Sequence, residues 1–181
     1  MRVRIISGKY GGRYLEAPDT TRTHPMSERV RGSLFNQLGD LTGQKVLDAF
    51  AGTGVIGLEA LSRGATSLMM IEKDRIAAKV ITSNGKLLGE GRRSKLVAAT
   101  VAAWDDTAGD ETFDLIFVDP PYHDMQLSTV ARLVRHLNPK GLMILSHPGR
   151  ESAPTVNGVV VGDKRSYGDA ALAFYRLDES A

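Results

Sequence analysis

Apolar and basic positions alternate in RVRIISG and again in RYLEAP, on either side of a Gly-rich KYGG turn, and this pattern predicts a β-hairpin. A Thr/Pro-rich link over residues 19–26 follows. Ser27 then offers a helix cap, Glu28 stands in the first turn, and Val30, Leu34 and Leu38 recur at helical spacing until Gly39 stops the helix. Gly32 inside that helix costs about 1 kcal/mol relative to Ala. From Lys45 onward the pattern switches to short apolar runs alternating with helical ones. Strands are predicted at 45–49, 67–72, 95–99, 113–118 and 141–146, and helices near 55–63, 75–88 and 126–137, with a weaker helical turn near 101–107. Near-continuous apolar strands separated by helices imply a mostly parallel sheet covered on both faces, an α/β fold. The tail differs, because TVNGVVVGDKRSYG and DAALAFYRL read as strand, turn, strand with no helix between them. They predict an antiparallel hairpin at the edge of the sheet.

At 181 residues and 42% hydrophobic composition the chain has the material for one core, or one core with a short appendage. The absence of cysteine excludes disulfides, thiolate zinc sites and any reaction that needs a cysteine nucleophile. No run approaches the ~20 apolar residues of a membrane span and no signal peptide precedes Arg2 and Arg4, so a cytoplasmic protein without membrane attachment is expected. His24, His123, His136 and His147 lack metal-ligand spacing, and no metal site is expected. Charge changes the picture more: residues 1–38 hold seven basic and three acidic side chains although the whole chain is only +2. That asymmetry suits a phosphate backbone, the alternative being a solvated basic face.

Candidate chemistry lies at the ends of two strands. After the first strand, Asp48 is followed by Gly52, Gly54 and Gly57 in a G-x-G-x-x-G pattern, and Glu72 ends the next strand where a carboxylate can accept both hydroxyls of a ribose. NAD and S-adenosylmethionine share those requirements. Asp48 separates them, since a carboxylate beside this turn repels a diphosphate and attracts an ammonium or a sulfonium. The cofactor expected is S-adenosylmethionine, the alternative being that Asp48 only satisfies loop amides. The second constellation is Asp119, Pro120, Pro121 and Tyr122, after FDLIFV. The prolines hold the chain extended, so Asp119 and the Pro120 carbonyl can both accept from one exocyclic amine while the Tyr122 ring stacks on its base. Two acceptors bias that nitrogen toward tetrahedral geometry and aim its lone pair at a sulfonium methyl. A Pro-stiffened turn with a surface Tyr is the bland alternative. Pyrimidine C5 methylation proceeds through a cysteine adduct, so the acceptor should be a nitrogen.

These features resemble the class I S-adenosylmethionine-dependent methyltransferases, and within them the bacterial 16S rRNA guanine-N2 methyltransferases (RsmD-like). The resemblance runs over almost the whole chain through RIISGKYGGRYLEAP, HPMSERVRGSLFNQL, LDAFAGTGVIGLEALSRGA, FVDPPY and YGDAALAFYRL. It implies a Rossmann-like, seven-stranded sheet with a reversed final hairpin, an N-terminal hairpin extension over 1–26 and a methyltransferase domain over 27–181. It further implies methyl transfer to the exocyclic N2 of a guanine in 16S rRNA or the small ribosomal subunit, by a protein expected to be a monomer. Carried onto this chain, Asp48, Phe50, Gly52 and Gly54 would surround the methionine part of the cofactor, Glu72 its ribose, and Asp119, Pro120 and Tyr122 the acceptor base. Arg2, Arg4, Lys9 and Arg13 of the hairpin would grip the RNA. Where the family usually has Arg-Pro-Thr-Thr, this chain has His24, Pro25, Met26 and Ser27, and Gly32 replaces a Glu. Thr100 stands where an Asp or Asn commonly meets the adenine, so backbone contacts from Thr100 and Val101 are expected instead. Trp104 could border the adenine or simply pack, and Arg92 and Arg93 read as a solvated loop. Three rivals remain: a DNA adenine or cytosine N-methyltransferase, for whose large target-recognition insert this chain has no room, a non-catalytic rRNA-binding assembly module and, most remote, a nicotinamide oxidoreductase.

Overall fold

The computed structural model describes residues 1–19 and 25–180, so His24 of the link lies outside the described residues. A two-stranded ribbon, β1 (Arg2–Arg4) and β2 (Tyr14–Glu16), opens the chain. Ser27 accepts from the Val30 amide at 3.2 Å and starts α1 (Glu28–Leu38), which ends at Gly39. The main sheet then follows: β3 (Lys45–Asp48), α2 (Val55–Ser62), β4 (Ser67–Ile71), α3 (Arg75–Leu87), β5 (Ser94–Val97), α4 (Val101–Thr107) and β6 (Phe113–Val118). It closes with α5 (Leu127–Arg132), a 3₁₀ turn (Leu133–His136), β7 (Leu137–Pro148), β8 (Val159–Tyr167) and β9 (Ala170–Leu177).

The seven strands lie in the order β5-β4-β3-β6-β7-β9-β8, with parallel pairing from β5 through β7. The terminal hairpin is present at the sheet edge, and its second strand, β9, is inserted antiparallel between β7 and β8. The predicted helix over 126–137 is shorter than its apolar spacing suggests, because the 3₁₀ turn follows Arg132 and β7 begins already at Leu137. Two apolar clusters fill the two faces of the sheet. One joins α1 and α2 to Val46, Met70, Phe117 and Ile144, and the other joins α4 and α5 to Leu47, Ile116 and Leu145. Trp104 belongs to the second, tilted against Phe113 and His136 with ring centroids 6.2 and 4.6 Å away, and is therefore a packing residue.

The N-terminal ribbon shares the first core, where Ile5 and Leu15 are fully buried. A buried carboxylate fastens it. Glu59 of α2 accepts from the amides of Ile6 at 2.8 Å and Ser7 at 3.1 Å, and from Arg63 at 3.0 Å, while Arg31 of α1 lies 3.6 Å away. Arg31, buried as fully as Glu59, donates to the carbonyls of Met26 and Arg4. At the other end of the ribbon the Lys9 amide meets the Ser62 carbonyl at 2.7 Å, and the Tyr10 hydroxyl donates to Glu90. Glu90 also receives Arg93, whose guanidinium reaches the Ala65 carbonyl at 2.9 Å, so Arg93 is a bridging residue and the expectation of a solvated loop is corrected there.

Removing one member of a buried ion pair leaves an uncompensated charge, which costs far more than the pair itself contributes. Glu59→Ala should therefore lower the unfolding free energy by about 3–5 kcal/mol in urea titrations. A loss below about 1 kcal/mol would mean that Arg31 escapes to solvent.

Candidate active site

The order β4-β3-β6 reverses direction at β3, and the crevice beyond the carboxyl ends of these strands is where an open α/β sheet binds ligands. Asp48 ends β3 in register with Met70 of β4 and Phe117 of β6. Glu72 and Asp119 each stand two residues beyond those partners. The two-residue period of strands places all three carboxyls toward the α1/α2 face.

Asp48 is fully buried. Its Oδ2 accepts the Gly57 amide at 3.1 Å, and its Oδ1 has no hydrogen-bond partner. Burial, reinforced by the neighbouring charges of Asp119 and Glu72, pushes its carboxyl up to about 7. The glycines explain how the backbone turns here. Gly54, at φ 79°, caps α2 in a conformation that side chains rarely adopt. A Cβ on Gly57 would meet Leu68 at 2.8 Å, so this glycine lets α2 lie close on the sheet and bring its amide to Asp48. Phe50 is half-buried beside this turn.

Each oxygen of Glu72 already serves the backbone: Oε2 accepts from Gly52 at 2.7 Å and Oε1 from Asp74 at 2.8 Å. A carboxylate offers about four acceptor positions, so lone pairs remain for two hydroxyls while the protein amides hold its plane. Thr100 caps α4, its hydroxyl accepting from the Ala103 amide at 3.1 Å, and Val101 is buried behind it. The Thr100 side chain is thereby occupied with its own helix.

Asp119 follows β6 directly. Burial raises its carboxyl to about 6, against a hydrogen bond from the Ser146 hydroxyl that favours the ionised form. Tyr122 is 39% exposed, and its hydroxyl lies 2.6 Å from Ser146 Oγ. Pro120 is buried, Pro121 and His123 are exposed, and a small cavity of about 10 Å³ beneath Asp119 is bounded by Met26, Leu34, Ile56 and Ser146. Ser146 is absent from the sequence-derived set, for a serine at the end of an apolar strand carries no distinguishing spacing. Its place follows from register alone, because β7 pairs Leu145 with Val118 and the next residue on each strand is Ser146 and Asp119.

The basic residues form two groups on the ribbon. Arg2 and Arg4 share its outer face, with Arg2 4.6 Å from the Tyr14 ring centroid and Arg4 bonded to Glu28 at 2.9 Å. Lys9 and Arg13 flank the Tyr10 ring, and Arg13 also reaches the Leu87 carbonyl at 3.3 Å. The structure thus brings Asp48, Glu72 and Asp119 together and keeps the four cations apart from them on the ribbon. Among the described residues no group of three His, Asp or Glu side chains is placed to hold a metal ion, and no helix is long and apolar enough to cross a membrane.

Asp48 gives a pH signature in the ligand-free protein. Its carboxyl sits well above the ~3.9 of an unfolded Asp, so the folded state holds the extra proton between about pH 4 and 7 and the contribution of Asp48 to stability falls as pH rises through that window. Asp48→Asn should flatten that fall and leave the variant more stable than the wild type at pH 8 by about 2–4 kcal/mol in denaturant titrations. A variant less stable at pH 8 would contradict the assigned burial cost.

Comparison with known proteins agrees with this arrangement. The family model described as conserved hypothetical protein 95 matches residues 3–176. The YlbH protein of Bacillus subtilis is 34% identical, over 96% of this chain and 98% of its own. Ribosomal RNA small subunit methyltransferase D of Escherichia coli K12 is 33% identical, over 86% of this chain and 79% of its own. Among solved structures, yhhF of Escherichia coli superposes with a TM-score of 0.87 at 29% identity, covering 98% of this chain and 99% of that one. With the glycine turn, the carboxylate triplet and the reversed β9 all in place, the chain belongs to the conserved hypothetical protein 95 family, the family of these ribosomal RNA methyltransferases.

Proposed function

We propose that this site transfers the methyl group of S-adenosylmethionine to the exocyclic N2 of a guanine in 16S rRNA, within the small ribosomal subunit or its precursor. The observation that carries the reading is the buried, partnerless Oδ1 of Asp48 at the glycine turn, with Glu72 on one side and Asp119 on the other. A buried anionic oxygen with no donor calls for a cationic ligand, and the donor set fits this cofactor. Asp48 would face its cationic methionine part, with Phe50, Gly52 and Gly54 around it. Glu72 would accept from the ribose hydroxyls, and the backbone of Thr100 and Val101 would meet the adenine. Bound there, S-adenosylmethionine supplies an electrophilic methyl group on a positively charged sulfur.

The protein's part is orientation and charge. Asp119, ionised through most of the neutral range, accepts one proton of the acceptor amine and the Pro120 carbonyl the other, which leaves the nitrogen lone pair directed at the methyl. The nitrogen gains a methyl and loses one proton, and Asp119 is the group through which that proton departs. Tyr122 presents a half-exposed ring on which the target base stacks. Residues 1–26 form the gripping extension of the 27–181 methyltransferase domain, with Arg2, Arg4, Lys9 and Arg13 on the RNA backbone. The protein acts in the cytoplasm as a monomer.

The test uses small subunits from cells lacking the protein, incubated with it and S-adenosylmethionine, followed by mass spectrometry of the nucleosides. One N2-methylguanosine per 16S rRNA is expected; methylation of DNA alone, or of no nucleic acid, would overturn the reading. Asp119→Ala should lower turnover by at least about 10³-fold while S-adenosylhomocysteine affinity changes by less than about threefold. Tyr122→Ala should lose more than Tyr122→Phe, since stacking needs the ring.

A further inference from the structure

Ser146 takes no part in the chemistry derived above, yet it touches both groups assigned to the acceptor. It is buried near the end of β7, its Oγ lies 2.6 Å from the Tyr122 hydroxyl, and the β6–β7 register sets it beside Asp119, with which it lines one small cavity. An ionised carboxylate only accepts, so a Ser146 hydroxyl turned toward Asp119 spends its single proton there, and the Tyr122 O–H then donates to Ser146. The result is an ordered chain running Tyr122 to Ser146 to Asp119.

Tyr122 needs such an anchor. Pro120 and Pro121 hold the backbone up to that point, but Pro121 and residues 122–124 are exposed, and no proline restrains the ring itself. A tether from the far end of the ring to a residue inside a paired strand fixes its plane relative to the carboxylate that holds the amine. We propose that Ser146 is a positioning residue for the acceptor base, setting the angle of the Tyr122 stacking ring and reserving one Asp119 oxygen for the amine. The small cavity below has room for about one water and is otherwise walled by Met26, Leu34 and Ile56, so the Ser146 hydroxyl is the polar group that meets Asp119 from beneath.

This inference rests on the assignment of Asp119 and Tyr122 to the acceptor, and the test separates the two. Single-turnover methylation of the small-subunit substrate is measured from pH 5 to 9 for the wild type, Ser146→Ala, Tyr122→Phe, the double variant and Asp119→Ala, alongside calorimetric affinity for S-adenosylhomocysteine. Ser146→Ala and Tyr122→Phe should each slow transfer by about tenfold, with cofactor affinity held within about twofold. The double variant should be no slower than the slower single variant, since both break one chain. Ser146→Ala should also move the acid limb of the rate profile to higher pH, because Asp119 loses a donor that favours its ionised form, whereas Tyr122→Phe leaves that donor in place. Rates within about twofold of wild type, or an unmoved acid limb with multiplying losses, would overturn the role of Ser146 while an inactive Asp119→Ala kept the acceptor assignment. An Asp119→Ala protein as fast as the wild type would overturn both.

Discussion

The buried carboxylate of Asp48 is the constraint around which the rest of the site is arranged. An anion sealed against a sheet is costly, and one of its oxygens has no donor. The Gly57 amide relieves part of that cost, and it can do so only because the helix following the turn lies close enough for a Cβ at that position to collide with Leu68. Glu72, two strand positions further along the neighbouring strand, adds negative charge and at the same time splints the turn through the Gly52 amide. Asp119 adds a third carboxyl. The charges of Glu72 and Asp119 add to the cost of ionising Asp48, a cost that a positively charged ligand offsets.

The same helix that carries Gly57 ties the catalytic crevice to the basic ribbon. Glu59, two residues further on, binds the ribbon's backbone amides and faces Arg31 of α1, and Arg31 in turn holds the carbonyls of Arg4 and Met26. Met26 lines the cavity beneath Asp119. The surface proposed to grip RNA and the floor of the proposed acceptor site therefore both connect to one buried ion pair.

Much of this was legible in the chain because it depends on local pattern. Alternation, helical spacing and a glycine turn are properties of neighbouring residues, and they placed the strands, Asp48, Glu72 and Asp119 where the structure has them. What escaped depends on contacts between distant positions. Ser146 looks like any polar residue ending an apolar run, and only the β6–β7 register sets it beside Asp119. Arg93 sits in a sequence that reads as a loop, yet Glu90 and the Ala65 carbonyl draw it inward. Arg4 was legible as a basic residue on an outward face, but its pairing with Glu28 was not. The insertion of β9 between β7 and β8 is likewise a matter of sheet order, on which an isolated hairpin pattern is silent.

Asp48, buried and with only one of its oxygens satisfied, is poised to receive a cation. Calorimetric titration of S-adenosylhomocysteine between pH 6 and 8.5, in buffers of differing ionisation enthalpy, tests it most directly. Affinity should weaken toward tenfold per pH unit below the carboxyl's value of about 7, with a proton released on binding there, and Asp48→Asn should abolish both effects. Affinity independent of pH and unchanged in Asp48→Asn would contradict it.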